Sequence, residues 1–233
     1  MDKKFKRITD NTIRKRCPET VSQILSALFD QRARPVLIAI GGPGGSGKST
    51  FSSALKDKLP DSSILSLDDY RIPRKLRKGC ILYGSHPDAN RIDLLISHCE
   101  KIKNGSAVEK PVYDPVTGEA DSTVTFIPTK FVLLDGEIST YQQLRSVIDF
   151  SIFIDSDLKT QFATRVNRDM VNRGYSYEKV KSVFLQSNIK DFARFGAESR
   201  SHTDIILFCN YDYSLEIDAV SAEIFSKCRD ILS

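Results

Sequence analysis

The chain has 233 residues, of which 40% are hydrophobic and 27% are charged, and this predicts one globular domain with an insertion. The longest apolar runs are five residues, at 36–40 and 205–209, which excludes a membrane-spanning helix, and the basic N-terminus lacks the apolar core of a secretory signal. The net charge of +4 is local, because residues 1–17 carry +5 and the remainder carries −1, and this excludes a uniformly basic nucleic-acid-binding surface.

The first predicted elements are a basic tail, a helix and a strand. Their charge sets residues 1–17 apart as an N-terminal tail, and residues 18–233 are predicted to form a single domain. A helix is predicted over 18–29, because apolar residues repeat at helical spacing after Pro18. The continuous apolar run at 36–40 predicts a strand that is buried on both faces of a parallel sheet.

The next segment predicts a helix over 48–59, a strand over 63–67 and a loop over 70–86. This loop holds a second basic cluster, formed by Arg71, Arg74, Lys75, Arg77 and Lys78. The cluster either steers an anionic ligand or is a solvated loop, and the sequence leaves both interpretations open.

The remaining elements continue the alternation of helices and strands. A helix over 87–103 ends at an Asn-Gly pair, and a small β-hairpin insertion is predicted over 108–127. Further strands are predicted over 131–134, 150–154 and 205–209, and further helices over 157–173, 176–195 and 214–232. The pattern predicts an α/β fold with a five-stranded parallel sheet flanked by helices.

A glycine-rich motif lies between the first predicted strand of the sheet and the helix that follows. Residues 42–49 match G-x-x-x-x-G-K-[ST], the P-loop pattern, in the strand-to-helix context that supports it. Backbone N–H groups of such a loop surround phosphate oxygens, the lysine binds the β- and γ-phosphates, and the Ser hydroxyl binds Mg²⁺. The predicted ATP-binding residues of the loop are Gly42, Gly44, Gly45, Ser46, Gly47, Lys48, Ser49 and Thr50. ATP is favoured over GTP because the N-K-x-D pattern is absent from the sequence.

Two acidic residues follow predicted strands. Asp68 comes after the strand 63–67, and Asp135 after the strand 131–134, so both should face the P-loop at the carboxyl edge of the sheet. One carboxylate could hold Mg²⁺ and another could accept the proton of an attacking hydroxyl. The alternative is that each acid merely ends its strand.

Arginines are concentrated on the predicted helix 157–173 and at its end. Arg165 and Arg168 lie three residues apart and share a face, and Arg173 precedes Gly174. Arginines beside a transferring phosphoryl group stabilise its negative charge. The alternative is a surface helix with salt bridges, in which Asp169 is a partner.

The cysteines and histidines do not form a metal-binding pattern. The five cysteines include no C-x-x-C pair, and the three histidines are scattered at 86, 98 and 202. An odd number of cysteines without a framework is typical of a reduced, cytoplasmic protein.

Taken together, these segments resemble the uridine kinase/phosphoribulokinase family of P-loop kinases. The resemblance extends from about residue 36 to residue 207, and several short segments in order carry it. These segments are 41–50, 66–70, 86–89, 110–114, 133–136, 165–169 and 173–174. It implies the P-loop NTPase fold, with 157–195 as a helical lid, and ATP with Mg²⁺ as cofactors.

The resemblance also implies roles for individual residues. Asp68 matches the general base, and Lys48 and Arg168 complete the implied catalytic set. Arg168 and Arg173 match lid arginines near the ATP phosphates, and Ser49, Asp68 and Asp135 would hold the metal. The implied substrate-binding residues are Asp68, Tyr70, His86, Asp88, Tyr113 and Arg165. For Asp88 an alternative stays open, because Ser85 and Asp88 have the spacing of a helix capping box.

Four positions depart from the nucleoside kinases of this family. Ser85 stands where they carry Asp, Gly118 where they carry His, and Tyr175 and Val183 where they carry Arg and Gln. These are the groups that would recognise the base and the ribose. Residues 110–118 look closer to phosphoribulokinase.

The sequence therefore predicts a kinase that transfers the γ-phosphate of ATP to a hydroxyl of a small metabolite. A uridine kinase-like nucleoside kinase is the first expectation, and a phosphoribulokinase-like sugar or sugar-phosphate kinase is the alternative. A non-catalytic ATP sensor and a nucleic-acid kinase fit less well. We expect no nucleic-acid or membrane partner, and self-association into a homo-oligomer stays open.

Overall fold

The computed structural model describes residues 2–77 and 82–233; Lys78 and Cys80 lie outside this part. The strands are β1 (Phe5–Arg7), β2 (Val36–Gly41), β3 (Ser62–Ser66), β4 (Val108–Val112), β5 (Ser122–Phe126), β6 (Phe131–Asp135), β7 (Phe150–Ser156), β8 (Ile205–Cys209) and β9 (Leu215–Ser221). The α-helices are α1 (Asn11–Lys15), α2 (Cys17–Phe29), α3 (Lys48–Lys58), α4 (Ile92–Lys103), α5 (Leu158–Arg173), α6 (Tyr177–Phe184), α7 (Ala193–Phe195), α8 (Ala222–Lys227) and α9 (Arg229–Leu232).

The central sheet contains seven strands in the order β1-β9-β8-β7-β2-β6-β3. Its five strands from β8 to β3 are parallel neighbours, as the sequence predicts. All six residues of β2 are buried, because this strand lies between β6 and β7 with helices on both faces. The P-loop therefore begins at the centre of the sheet.

The two outer strands β9 and β1 differ from the predictions. The helix predicted over 214–232 is wrong in its first part, where β9 pairs antiparallel with β8, and the remainder forms the two short helices α8 and α9. Apolar residues at 215, 217 and 219 alternate along the strand, whereas 217, 220 and 224 also match helical spacing. Residues 1–17 do not form a tail in the described part, because β1 pairs with β9 and α1 follows, with Asp10 as its N-cap.

The apolar core lies on both faces of the sheet. One face packs against α2, α3 and the C-terminal helices, and the other packs against α4 and the segments 67–70 and 138–147. Four buried free cysteines contribute to it, at positions 17, 99, 209 and 228, and burial raises the pKa of each thiol. In the described part of the chain, the helices are too short or too polar to cross a bilayer.

A helical segment and a hairpin stand beside the carboxyl edge of the sheet. Asp157 caps α5, which ends at Gly174 in the left-handed conformation (φ 63°), and Ser176 caps α6. The chain then continues as a π-helix over Leu185–Phe192, where the sequence predicts a regular helix. Strands β4 and β5 pair as a separate antiparallel hairpin within the range 108–127.

Candidate active site

The P-loop connects β2 to α3 and takes a conformation that requires glycine. Gly42, Gly45 and Gly47 have φ angles of 136°, 85° and 86°, which side-chain-bearing residues rarely adopt. The loop ends at the N-terminus of α3, where backbone N–H groups and the helix dipole favour an anion. Its geometry is that of a phosphate-binding cradle.

Lys48 is buried at the start of α3. Its Nζ donates to the Pro43 carbonyl at 2.8 Å, and the carboxylates of Asp68, Asp135 and Glu137 line the same cavity as Lys48. Burial lowers the pKa of Lys48, and these three carboxylates oppose the shift. The ammonium group is held inside the loop, where it can meet a phosphate.

A cavity of about 520 Å³ opens between the P-loop, the ends of β3 and β6, the 70–86 segment and helices α5 and α6. Cationic side chains outnumber anionic ones among its described lining residues. The cationic residues are Lys48, Arg71, Arg74, Arg77, Arg165, Arg168, Arg173 and Lys179, and the anionic ones are Asp68, Asp135 and Glu137. The excess of positive charge indicates a strongly anionic ligand.

Asp135 ends β6 beside the P-loop, as the sequence predicts. Its Oδ1 is buried without a hydrogen-bond partner among the described residues, and burial raises the pKa of this carboxyl group although Ser49 is close enough to oppose the shift. Mg²⁺ in phosphoryl-transfer sites is typically held by one or two carboxylates together with substrate phosphates. The Ser49 hydroxyl and the Asp135 carboxylate fit this donor set, and Asp68 lines the same cavity.

The adjacent residues Asp68 and Asp69 face different partners. The Asp68 side chain is 53% exposed in the cavity, and its Oδ1 accepts from Arg71 Nη2 at 2.7 Å. Asp69 instead forms a partly buried ion pair with Lys110 and accepts from the Tyr113 backbone N–H at 3.1 Å. The exposed Asp68 carboxylate, which Arg71 holds through Oδ1, can thus meet an acceptor hydroxyl, while Asp69 fixes the hairpin that places Tyr113 in the cavity.

Glu137 is a cavity residue that the sequence analysis missed. Its Oε2 accepts from the Ser85 hydroxyl at 2.6 Å, and its Oε1 lies 3.3 Å from Arg165 Nη2. Burial alone would raise the pKa of Glu137, but the charges of Arg165, Lys48 and Arg71 outweigh burial and hold it at about 2. The only sequence signal was a second acid directly after β6, in Asp135-Gly136-Glu137.

The lid helix brings its three arginines to one wall of the cavity. Arg165 is almost fully buried next to the P-loop, and Arg168 and Arg173 are partly exposed in the cavity. Ser187 of the π-helix also lines the cavity, and Asn188 follows it in the same helix. Asn188 Nδ2 donates to the Gly44 carbonyl at 2.7 Å, which ties the lid to the P-loop.

Three predicted substrate-binding residues lie elsewhere. Tyr70 is fully buried in the core, where its hydroxyl is 2.9 Å from His98 Nδ1, because the 3₁₀ turn over 67–70 rotates it away from Asp68. His86 accepts from the Asp88 backbone N–H at 3.2 Å and packs against Phe195, while the Asp88 side chain points to solvent. The structure therefore does not bring Tyr70, His86 or Asp88 to the cavity.

The structure also shows where the four residues lie that differ from the nucleoside kinases. Tyr175 and Val183 line the cavity. Ser85 binds Glu137 and Ser187 rather than Asp88, so the capping box does not form. Gly118 (φ 79°) accepts from the Arg74 backbone N–H at 2.7 Å, and an added Cβ would lie 2.8 Å from the Arg74 side chain. A glycine is required at this turn for structural reasons.

Comparison with known proteins identifies a family to which the sequence is similar. The model of the phosphoribulokinase/uridine kinase family matches residues 37–210. A uridine kinase of Chlamydia pneumoniae is 31% identical over 204 residues, which cover 84% of this chain and 92% of that protein. A chloroplastic phosphoribulokinase of Triticum aestivum is 31% identical over 195 residues, which cover 75% of this chain but 48% of that protein. The chain thus spans about half the length of this phosphoribulokinase.

A solved structure shows the same fold. The YGR205w protein superposes with a TM-score of 0.65 at 17% identity, over 93% of this chain and 99% of its own. The α/β P-loop kinase fold predicted from the sequence is confirmed.

Proposed function

We propose that this chain, which belongs to the phosphoribulokinase/uridine kinase family, is a small-molecule kinase that phosphorylates a hydroxyl group of a sugar phosphate with ATP. The observation that carries this choice is the set of three arginines that the segment 71–77 contributes to the cavity lining. Arg71, Arg74 and Arg77 line the cavity in addition to Lys48 and the lid arginines, which ATP would engage. A neutral acceptor would leave the charges of Arg74 and Arg77 without an anionic partner, because both side chains donate to neutral groups.

The residues of the cavity divide into two groups with different tasks. The P-loop, Lys48, Arg168 and Arg173 would bind the ATP phosphates and stabilise the negative charge of the transferring group. Asp68 would accept the proton of the attacking hydroxyl, and Tyr113 and Arg165 would line the acceptor subsite. Ser49, Asp135 and Asp68 would hold Mg²⁺, which when bound neutralises charge on the β- and γ-phosphates.

Hydrogen bonds hold the three arginines of the segment 71–77, and only Arg71 donates to a carboxylate, that of Asp68 at 2.7 Å. Arg77 donates to the Tyr113 hydroxyl at 2.9 Å and to the Leu82 carbonyl at 2.7 Å. Arg74 donates to the carbonyls of Pro115 and Val116. Because neutral acceptors hold Arg74 and Arg77, their charge remains available to a phosphate group on the acceptor.

A nucleoside acceptor is the second candidate, and similarity to a nucleoside kinase is the observation that favours it. The Chlamydia pneumoniae uridine kinase is 31% identical to this chain over 204 residues. Tyr113 also presents an aromatic side chain to the cavity. Against this candidate, Ser85, Gly118, Tyr175 and Val183 replace the residues that would recognise base and ribose.

The two candidates are separated by an ADP-release assay with ribulose 5-phosphate, ribulose and uridine. We expect kcat/KM for ribulose 5-phosphate to exceed that for ribulose by roughly 100-fold, since charged hydrogen bonds contribute about 1.5–3 kcal/mol each. Arg74→Gln should raise the KM for the phosphorylated acceptor about tenfold and leave the KM for ATP nearly unchanged.

Lys75→Gln is the matched control for Arg74→Gln. Lys75 lies in the same turn but pairs with Glu119 of the hairpin at 2.7 Å, so its loss should not affect the acceptor KM. Faster turnover of uridine than of ribulose 5-phosphate would establish the nucleoside alternative.

A further inference from the structure

Asp169 is a buried carboxylate that three arginines of the cavity share. Its Oδ1 accepts from Arg168 Nε at 2.8 Å and lies 3.1 Å from Arg173 Nη1, and its Oδ2 is 3.9 Å from Arg165 Nη1. Residues 165, 169 and 173 follow one another at intervals of four along α5, so their side chains lie on one face. The Asp169 side chain is completely shielded from solvent.

The Asp169 side chain is not needed to end helix α5. The backbone N–H groups of Gly174 and Tyr175 bond to the Asp169 carbonyl oxygen, and this main-chain contact closes α5 with any residue at position 169. The Asp169 carboxylate therefore acts on its three arginine neighbours and not on the helix end.

Three guanidinium groups near one another repel, and Arg168 could reduce this repulsion by turning outward, because its side chain is already 39% exposed. One buried carboxylate offsets the repulsion without neutralising all three charges. A net positive charge therefore remains on this wall of the cavity.

We infer that Asp169 is a positioning residue, which holds Arg168 and Arg173 toward the cavity for the phosphates of ATP. This inference rests on the proposed kinase function. Asp169 would not touch the nucleotide, and its effect on phosphoryl transfer would come through the two arginines.

The test is Asp169→Asn, which keeps the shape of the side chain and removes its charge. The assay uses MgATP with whichever of ribulose 5-phosphate and uridine the wild type phosphorylates. We expect kcat to fall roughly 10- to 100-fold, because a small misplacement of catalytic groups has an effect of this size. The Kd for MgATP should change by less than about threefold, because the lost negative charge offsets the poorer placement of the arginines. A loss of folding would instead lower kcat and nucleotide binding together.

Asp149→Asn is the matched control. Asp149 is also buried and is also shared by three cations, with Arg32, Arg34 and Lys103 at 2.9, 2.7 and 3.3 Å, on a part of the fold away from the cavity. When it is assayed at a temperature at which it is folded, Asp149→Asn should have the same kcat as the wild type. An equal loss of kcat in both variants would overturn the inference, and so would an unchanged kcat in Asp169→Asn.

A double-mutant cycle and an NMR measurement complete the test. In the Arg173→Gln background, Asp169→Asn should lower kcat by a smaller factor than in the wild type, whereas fully independent effects would contradict a positioning role. The Nε–Hε resonances of Arg168 and Arg173 should be ordered in the wild type and averaged in Asp169→Asn, without any acceptor present. If the wild type phosphorylates neither acceptor, the proposed function fails, and these resonances still decide the role of Asp169.

Discussion

At the scale of single residues, two neighbouring aspartates have separate tasks. Asp68 faces the cavity with an exposed carboxylate, while Asp69 is held by Lys110 and by the backbone N–H of Tyr113. Asp68→Asn should lower kcat by roughly 10²–10⁴-fold, the usual contribution of a general base. Steady-state kinetics and calorimetric titration with MgATP would measure this, and the affinity for MgATP should fall much less than kcat, because Ser49 and Asp135 would still hold Mg²⁺.

Asp69→Asn is the control for this experiment, because it changes the same chemical group one residue away. It should loosen the hairpin and therefore raise the acceptor KM through Tyr113, with a smaller effect on kcat. Equal kinetic parameters for Asp68→Asn and the wild type would remove Asp68 from the mechanism.

At the scale of elements, β1 is an integral edge strand. It pairs with β9 through Phe5–Ser221 and Arg7–Ala219, and the Ile8 side chain that follows is buried. Deleting residues 2–8 should lower the free energy of unfolding by about 2–4 kcal/mol, from lost ladder hydrogen bonds and apolar burial. Urea denaturation would measure the change.

Nucleotide binding should survive this deletion, because β9, β8 and β7 separate β1 from the P-loop strand β2. The combined variant Lys4→Gln, Arg7→Gln is the control, since it removes charge from exposed positions and leaves the strand in place. Unchanged stability after the deletion would mean that residues 2–8 act as a tail after all.

At the scale of the whole molecule, the ionised Glu137 carboxylate in the cavity makes the free energy of unfolding depend on pH. Its pKa is about 2 in the folded chain against 4.5 for an ordinary glutamate, so the folded state binds fewer protons than the unfolded state between these values. The stabilisation is complete above about pH 4.5 and is lost as the pH falls toward 2, by an amount on the order of 3 kcal/mol.

Glu137→Gln should therefore be less stable than the wild type at pH 7, and the difference should shrink on acidification. Urea denaturation at pH 7, 4 and 3 would measure it, with Glu109→Gln on the hairpin as an exposed control. A stability difference that is independent of pH would show that the Glu137 charge does not stabilise the fold.

The sequence predicts the structure well where a local pattern determines the position of a residue. The P-loop and the acids at 68 and 135 could be predicted, because each depends on a motif or on the end of a buried strand. The roles of Glu137 and Asp69 could not, because they depend on partners 52 and 44 residues away in the chain. The direction of Tyr70 depends on a single 3₁₀ turn, and β9 was missed because its apolar residues also fit a helix.

The π-helix over 185–192 has a consequence for how this site could change in evolution. Its hydrogen bonds span one more residue per turn than those of an α-helix, and it turns the consecutive polar residues Ser187 and Asn188 toward Ser85 and Gly44. Loss of one residue from this segment would restore a regular helix and redirect both side chains, while the flanking helices kept their lengths. A single-codon deletion could thus alter the lid's inner surface without disturbing the sheet or the P-loop.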